Sequence, residues 1–214
     1  MRNYLHVIGC IFILMFGCAL LASAGTITDN FNDGKIDDWT IFSGVWSAKD
    51  GVIHQTEMGG PKVIVWNTPG ELKDFTISVK AMGLSADADW GLVFRAKDVN
   101  NHYSWQYVNG GLMFVAYVGG ARTENNLQAQ GAILNEWQDF KVVASGNSYT
   151  LSWKGNEIKT IENAALTGGK VGFFTWDVVD FDDFVVTSDS ISSTTAVSSK
   201  GRLSITWGEL KSEY

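Results

Sequence analysis

The chain has 214 residues, with 23 Asp and Glu against 16 Lys and Arg and a formal net charge of −7. An acidic chain without a basic run is a poor nucleic-acid binder, because contacts to phosphate dominate that affinity. We therefore expect no nucleic-acid partner. The length suits one domain of sandwich size followed by a tail.

Residues 1–24 are predicted to be a secretory signal peptide. Arg2 lies in a short polar start, residues 7–21 are almost wholly apolar, and Ala22-Ser23-Ala24 forms a cleavage site of the A-x-A type. We expect a secreted protein, extracellular or periplasmic, with no membrane span after processing. A retained membrane anchor and lipoprotein processing at Cys18 are the alternatives.

Both cysteines, Cys10 and Cys18, lie in this leader. The mature chain then has no disulfide and depends on its core, or on bound metal ions, for stability.

The chain from Gly25 to Ser188 reads as about a dozen short strands separated by Gly, Asn, Asp and Pro turns. The clearest strand, within 74–82, alternates apolar and polar residues, whereas Arg122–Gln130 is polar and reads as a loop. No helix of ordinary length is evident. This pattern predicts an all-β fold, a two-sheet antiparallel β-sandwich.

The stretch 89–108 is predicted to be a central β-hairpin around a turn at 97–101. Trp90, Leu92 and Phe94 share one face of the first strand, and Tyr103, Trp105 and Tyr107 share one face of the second. Because side chains alternate along a strand, these aromatic faces are expected in the core. Four polar side chains are then expected to point outward together as a ligand-binding surface: Arg95, His102, Ser104 and Gln106. For Arg95, a surface ion pair is the alternative.

The tryptophans divide into two groups. Five lie on the apolar faces of their strands and are expected in the core: Trp46, Trp90, Trp105, Trp137 and Trp153. Trp66 lies opposite Val63 and Val65, and Trp176 ends a strand beside Asp177. We expect Trp66, Trp176 and Asp177 to contact a ligand.

The acidic residues predict a metal site but no catalytic pair. Asp182 shares a strand face with Phe184 and Val186, so it is expected to point inward and to need a partner. We expect it to bind a structural Ca²⁺ together with Asp29, or to accept hydrogen bonds from a neighbouring turn. The glutamates are scattered singly, without the closely spaced carboxylates of a glycosidase, so no catalytic residue is predicted.

After Ser188 the composition changes. Residues 189–201 are rich in Ser and Thr and predict a flexible linker. Residues 202–214 form a short mixed segment with Leu203, Ile205 and Trp207 as candidate anchors. It is expected to be either a disordered tail or a docking peptide for a cell-surface protein.

Five segments taken in order resemble the concanavalin A-like, laminin G-like jelly-roll superfamily: DNFNDGKIDDW, GVWSAKDGVI, ADWGLVFRAKDVNNHYSW, EWQDFKVVASGNSYTLSWKGNEI and GGKVGFFTWDVVDFDDFVV. The resemblance is nearest to bacterial secreted domains of the family-16-like or 3-keto-disaccharide hydrolase type, and to the lectin-like C-terminal domain of thrombospondins. It implies two facing antiparallel sheets, one of them concave, with ligands on the concave face or at the loop rim.

That superfamily contains enzymes, lectins and structural modules, so the fold does not choose among them. We expect a non-catalytic, lectin-like module that binds an extracellular glycan on its concave sheet. The alternatives are a glycoside hydrolase of the 3-keto-disaccharide type and a cell-surface or matrix protein-adhesion module. An exposed apolar patch would favour adhesion, whereas a polar groove would favour a sugar.

Overall fold

The computed structural model describes residues 24–68, 70–85, 89–131 and 133–192. These residues form fifteen β-strands and no helix. The described ranges therefore contain no helix that could span a bilayer. Residues 1–23 of the predicted leader, residues 193–201 of the linker and the segment 202–214 lie outside the described residues.

Two antiparallel sheets face each other and form a β-sandwich, as predicted. Sheet A has the order β13-β12-β11-β6-β15-β4-β3, with β1 also paired to β15. Its strands are β1 (Gly25–Asp29), β3 (Trp46–Lys49), β4 (Val52–Gln55), β6 (Phe75–Gly83), β11 (Gln138–Ser145), β12 (Ser148–Trp153), β13 (Asn156–Glu162) and β15 (Val179–Ser188).

Sheet B has the order β10-β9-β8-β7-β14-β5-β2. Its strands are β2 (Trp39–Ser43), β5 (Lys62–Trp66), β7 (Trp90–Asp98), β8 (Asn101–Val108), β9 (Gly111–Val118), β10 (Ala121–Ala129) and β14 (Lys170–Thr175). This is the jelly-roll architecture that the sequence predicted.

The main core lies between the inner faces of the two sheets. β6 alternates as predicted, with Phe75, Ile77 and Val79 buried and the intervening residues partly exposed. The hairpin β7–β8 contributes the predicted inward aromatic set: Trp90, Phe94, Tyr103, Trp105 and Tyr107. Beyond β15, Ile191 is also buried, and its carbonyl accepts a hydrogen bond from the Gly25 amide (3.1 Å). The first residue of β1 is therefore bonded to the segment that follows β15.

The predicted outward orientation of Arg95 is wrong. β7 has one more residue than β14 between their paired positions, and Arg95 lies in this bulge with φ 54°. The bulge turns the side chain into the core, where it is fully buried. Gly169 faces the bulge, and a Cβ there would lie 2.4 Å from the Arg95 carbonyl carbon.

The guanidinium of Arg95 ties three segments together. It donates hydrogen bonds to the Tyr149 hydroxyl (3.0 Å) and to the carbonyls of Leu72 and Gly146 (both 2.7 Å). No carboxylate among the described residues pairs with it. Because a buried charge without hydrogen bonds is costly, these three acceptors are what allow Arg95 to remain inside.

A second bulge overturns the inward orientation predicted for Asp182. β15 has an extra residue between the positions paired with Lys80 and Ser78, and Asp183 within it has φ 51°. Phe181 and Phe184 therefore both reach the core, although they are three residues apart, while Asp182 is only partly buried. The alternation that grouped Asp182 with Phe184 is broken at this point.

Two further predictions are corrected by the structure. Residues 122–130, predicted to be a loop, contribute most of β10, an edge strand that is exposed along nearly its whole length and so has no apolar alternation. Trp137, predicted in the core, precedes β11 and is 39% exposed, whereas the other four tryptophans predicted there are buried.

Candidate functional site

The outer face of sheet B carries a row of polar side chains from β8. His102, Ser104 and Gln106 alternate with the inward aromatics and are fully buried. The Ser104 hydroxyl and the Gln106 amide have no hydrogen-bond partner among the described residues, whereas the His102 ring interacts with the backbone of Asp98. Buried polar atoms are normally paired, so the unpaired Ser104 and Gln106 side chains are the candidates for hydrogen bonds to a ligand.

Aromatic rings lie over the same face. Tyr117 of β9 pairs with His102 across the strands, and the two rings stack at 4.5 Å. Phe174 of β14 lies 5.7 Å from the His102 ring and 6.3 Å from the Tyr117 ring. β9 and β14 are three strands apart, which is about 14 Å in a flat sheet. The short ring distances show that these side chains converge over the face, as expected for a concave surface, and we call it the concave face.

Residues from the two margins of the concave face contact each other across it. The guanidinium carbon of Arg122, on edge strand β10, lies 5.9 Å from the centre of the Trp176 ring, just after β14. Arg122 also forms an ion pair with Glu124 of the same strand. The face is thus bounded on one side by charged residues of β10 and on the other by an indole.

Two carboxylates lie at the Trp176 end. Asp89 and Asp177 are both mostly buried, and the Thr175 hydroxyl lies 2.8 Å from the main-chain carbonyl of each. The Asp177 carboxylate accepts a hydrogen bond from the Gly59 amide (2.9 Å), and that of Asp89 accepts one from the Asn109 amide (3.3 Å).

Burial shifts the pKa values of Asp89 and His102. Burial raises the pKa of Asp89 to about 6, opposed by the Asn109 amide and the Arg122 charge and reinforced by Asp177. Burial lowers the pKa of His102 to about 4, with nearby Asp98 acting in the opposite direction. At neutral pH the imidazole is therefore neutral, with one nitrogen that donates and one that accepts.

The structure brings four predicted ligand residues to one surface, namely His102, Gln106, Trp176 and Asp177. It separates two others. Arg95 lies in the core, and Trp66 packs against the core from the inner side of β5, opposite Val63 and Val65. Trp66 alternates with Val63 and Val65 as predicted. The two valines, however, lie on the concave face, and Trp66 lies on the core side.

Sequence reasoning missed Tyr117, Asp89, Arg122 and Glu124. Tyr117 shares its strand face with Val115, a regular alternation that could have been found. Arg122 and Glu124 were assigned to a loop. Their proximity to Trp176 depends on the curvature of sheet B, for which the sequence has no local signal.

Asp29 and Asp182, the predicted calcium ligands, both accept hydrogen bonds from main-chain or indole N–H groups. The Asp29 carboxylate accepts hydrogen bonds from the Phe31 amide (2.9 Å) and the Trp39 indole (2.8 Å), and Asp182 accepts one from the Asp183 amide (2.6 Å). Within the described ranges, no group of three or more His, Cys, Asp or Glu side chains could hold a metal ion. These contacts match the turn alternative, and calcium binding by Asp29 and Asp182 stays a prediction.

Residues 26–187 match the family model described as the 3-keto-alpha-glucoside-1,2-lyase-like domain. The chain belongs to this family. No curated protein matches the chain.

Solved structures with related folds agree with a concanavalin A-like sandwich. The carbohydrate-binding module CBM66 from Bacillus subtilis has a TM-score of 0.65 at 18% identity, covering 71% of this chain and 96% of that one. A Bacillus subtilis protein of unknown function with a galectin-like fold has a TM-score of 0.60 at 13% identity, covering 76% and 96%. A xylan beta-1,4-xylosidase from Bacillus halodurans C-125 has a TM-score of 0.57 at 16% identity, covering 75% of this chain and 39% of the enzyme. At these identities the likeness shows the shared fold alone.

Proposed function

We propose that this protein is a non-catalytic, lectin-like module that binds a glycan on the concave face of sheet B. The observation that carries the proposal is that the Ser104 hydroxyl and the Gln106 amide are buried without a partner among the described residues, on the same strand face as His102, whose ring contacts Tyr117 and Phe174. Sugar hydroxyls both donate and accept hydrogen bonds, so they can satisfy an imidazole, a hydroxyl and an amide together. The apolar faces of a sugar ring suit the aromatic side chains beside them.

The character of the face supports a small polar ligand over a protein partner. Ligand pockets typically combine aromatic walls with a few well-placed polar groups. The concave face has both, and charged residues at its margins. We propose that the protein meets its glycan outside the cytoplasm, extracellularly or in the periplasm, on the basis of the leader-like residues 1–24.

A binding screen of the purified protein against soluble polysaccharides and immobilised glycans tests this function. We expect saturable binding to one class of glycan. His102→Ala should weaken it at least tenfold, while Thr150→Ala, on the outer face of sheet A, should leave it unchanged. Binding only to extracellular-matrix proteins in a parallel screen would overturn the glycan proposal in favour of adhesion.

Catalysis is the second candidate, and one arrangement favours it. Asp89 lies in an acidic surrounding with Asp177 and Glu124, and its pKa of about 6 leaves it able to give or take a proton near neutral pH. A hydrolase acting on 3-keto-disaccharides, the alternative raised by the sequence, would need such a group.

Activity on a synthetic 3-keto-disaccharide separates the two candidates. The binding function predicts no turnover above that of the Asp89→Asn variant. Turnover by the wild type that is abolished in Asp89→Asn and retained in Glu162→Gln, an exposed carboxylate on the other sheet, would establish catalysis instead.

A further inference from the structure

The outer face of sheet A, on the opposite side of the sandwich from the concave face, contains a cleft of about 710 Å³. Side chains from β1, β6, β11, β12 and β15 line it, and all of them belong to the described residues. Its volume lies within the range of small-ligand sites. We call it the sheet-A cleft.

Three hydroxyl groups line the sheet-A cleft, from Thr28, Ser78 and Ser152. None of the three side chains is hydrogen-bonded to another described residue. They come from three strands, β1, β6 and β12, so they are spread over the cleft floor. Hydroxyls of this kind both donate and accept, which matches the hydroxyl groups of a saccharide.

The charges of the cleft are mixed. Lys80 forms an ion pair with Asp183 (2.7 Å). Lys141 and Asp139, two residues apart on β11, add one charge of each sign, and neither forms an ion pair with a described residue. Because Asp29, Asp139 and Asp183 outnumber the two lysines of the lining, the cleft has no excess of positive charge to hold a phosphate or sulfate. An uncharged ligand with many hydroxyls fits it better.

Trp137 immediately precedes β11 and stands two residues before Asp139 of the cleft. If the alternation of β11 continues back to Trp137, its side chain is on the same side of the sheet as Asp139, about 7 Å along the strand. Its side chain is 39% exposed and makes no hydrogen bond or ring contact with another described residue. An exposed indole next to a polar cleft is a suitable surface for a sugar ring to stack on.

We propose that the sheet-A cleft and Trp137 form a second saccharide site, specific for neutral oligosaccharides and independent of the concave face. The hydroxyls of Thr28, Ser78 and Ser152 bind sugar hydroxyls, and Lys141 and Asp139 add one charged donor and one charged acceptor. Two sites on opposite sides of one sandwich make the protein bivalent. It then holds two glycan chains, or two segments of one long chain, with greater avidity than either site alone.

Calorimetric titration of the full-length mature protein with cellohexaose, xylohexaose and maltohexaose tests the second site. We expect two equivalents of one of these probes to bind the wild type. Trp137→Ala and Lys141→Ala should each weaken one equivalent at least tenfold and leave the other unchanged. Val143→Ala is the matched control, because Val143 is also exposed on β11 but does not line the cleft.

The His102→Ala variant makes the two proposals separable. Loss of one equivalent in Trp137→Ala and of the other in His102→Ala supports both sites. A single equivalent that survives Trp137→Ala and Lys141→Ala overturns the sheet-A site and leaves the concave face standing. A single equivalent that is lost in Trp137→Ala but kept in His102→Ala supports the sheet-A site and shows that the concave face does not bind this probe. No binding of any of the three probes overturns the second site as proposed.

Discussion

The Arg122 guanidinium lies 5.9 Å from the Trp176 ring, although their strands β10 and β14 are separated by three others in sheet B. In a flat sheet the two strands would be about 19 Å apart. The contact therefore joins the two margins of the concave face.

Arg122→Ala is expected to accelerate both association and dissociation of a bound glycan, because it removes the contact that joins the two margins of the concave face. Stopped-flow tryptophan fluorescence with a glycan identified in the screen measures both rates. Lys154→Ala is the matched control, since Lys154 lies 4.6 Å from the Trp153 ring but on sheet A. Rates unchanged in Arg122→Ala would show that the contact does not control access.

Arg95→Ala is expected to lower the free energy of unfolding by about 3–5 kcal/mol, because three buried acceptors lose their donor. Urea denaturation monitored by tryptophan fluorescence measures this loss. Trp105→Ala, a core truncation, should cost about 3–5 kcal/mol as well. A loss of about 0.5 kcal/mol or less in Arg95→Ala, typical of a surface change, would contradict the structural role of this arginine.

Asp89→Asn is expected to stabilise the protein at pH 7. The pKa of Asp89 is about 6 in the folded state against an ordinary value of 3.8, so the folded state binds its proton more tightly. Its effect on stability is therefore unfavourable above about pH 6 and disappears as the pH falls below 3.8. After allowance for solvent screening, we expect a gain of about 1–2 kcal/mol in the variant at pH 7. Thermal unfolding at pH 4 and pH 7 measures the difference, and a variant that is less stable than the wild type at pH 7 would contradict it.

His102 is expected to have the opposite pH dependence. Its pKa is about 4 in the folded state against an ordinary 6.5, so the unfolded state takes up the proton first as the pH falls. Its contribution makes the folded state less stable as the pH falls from 6.5 towards 4. His102→Gln should remove this acid-side loss, so the stability of the variant should decline less than that of the wild type over this window. Parallel slopes for the two proteins would show that His102 does not titrate as its burial implies.

The correct and incorrect predictions have distinct physical origins. Strict alternation placed Trp90, Trp105 and Phe75 in the core, because period-two patterning and burial on one face are the same property of a strand. The same rule failed at Arg95 and Asp182, where one extra residue in a bulge reverses the side of the sheet. A positive φ at a residue other than Gly, as at Arg95, leaves no mark in the sequence.

The candidate site was predictable only where it depends on the local orientation of side chains along one strand. His102 and Gln106 are adjacent members of one strand face, so their common orientation followed from local sequence. Trp176 and Asp177 were chosen because they end a strand where loops gather. The convergence of Arg122 and Tyr117 on them depends on the curvature of a seven-stranded sheet, which arises from many strand pairings together.

The central claim is that the polar row of β8 binds a glycan, and the most direct measurement is the dissociation constant of Gln106→Ala for the glycan that binds the wild type. Gln106 is buried with both amide atoms unpaired among the described residues, so its loss removes hydrogen bonds that only a ligand makes. We predict that affinity falls at least tenfold, about 1.4 kcal/mol, while the unfolding midpoint stays within a few degrees. Unchanged affinity in Gln106→Ala, with Thr150→Ala also unchanged, would contradict glycan binding on the concave face.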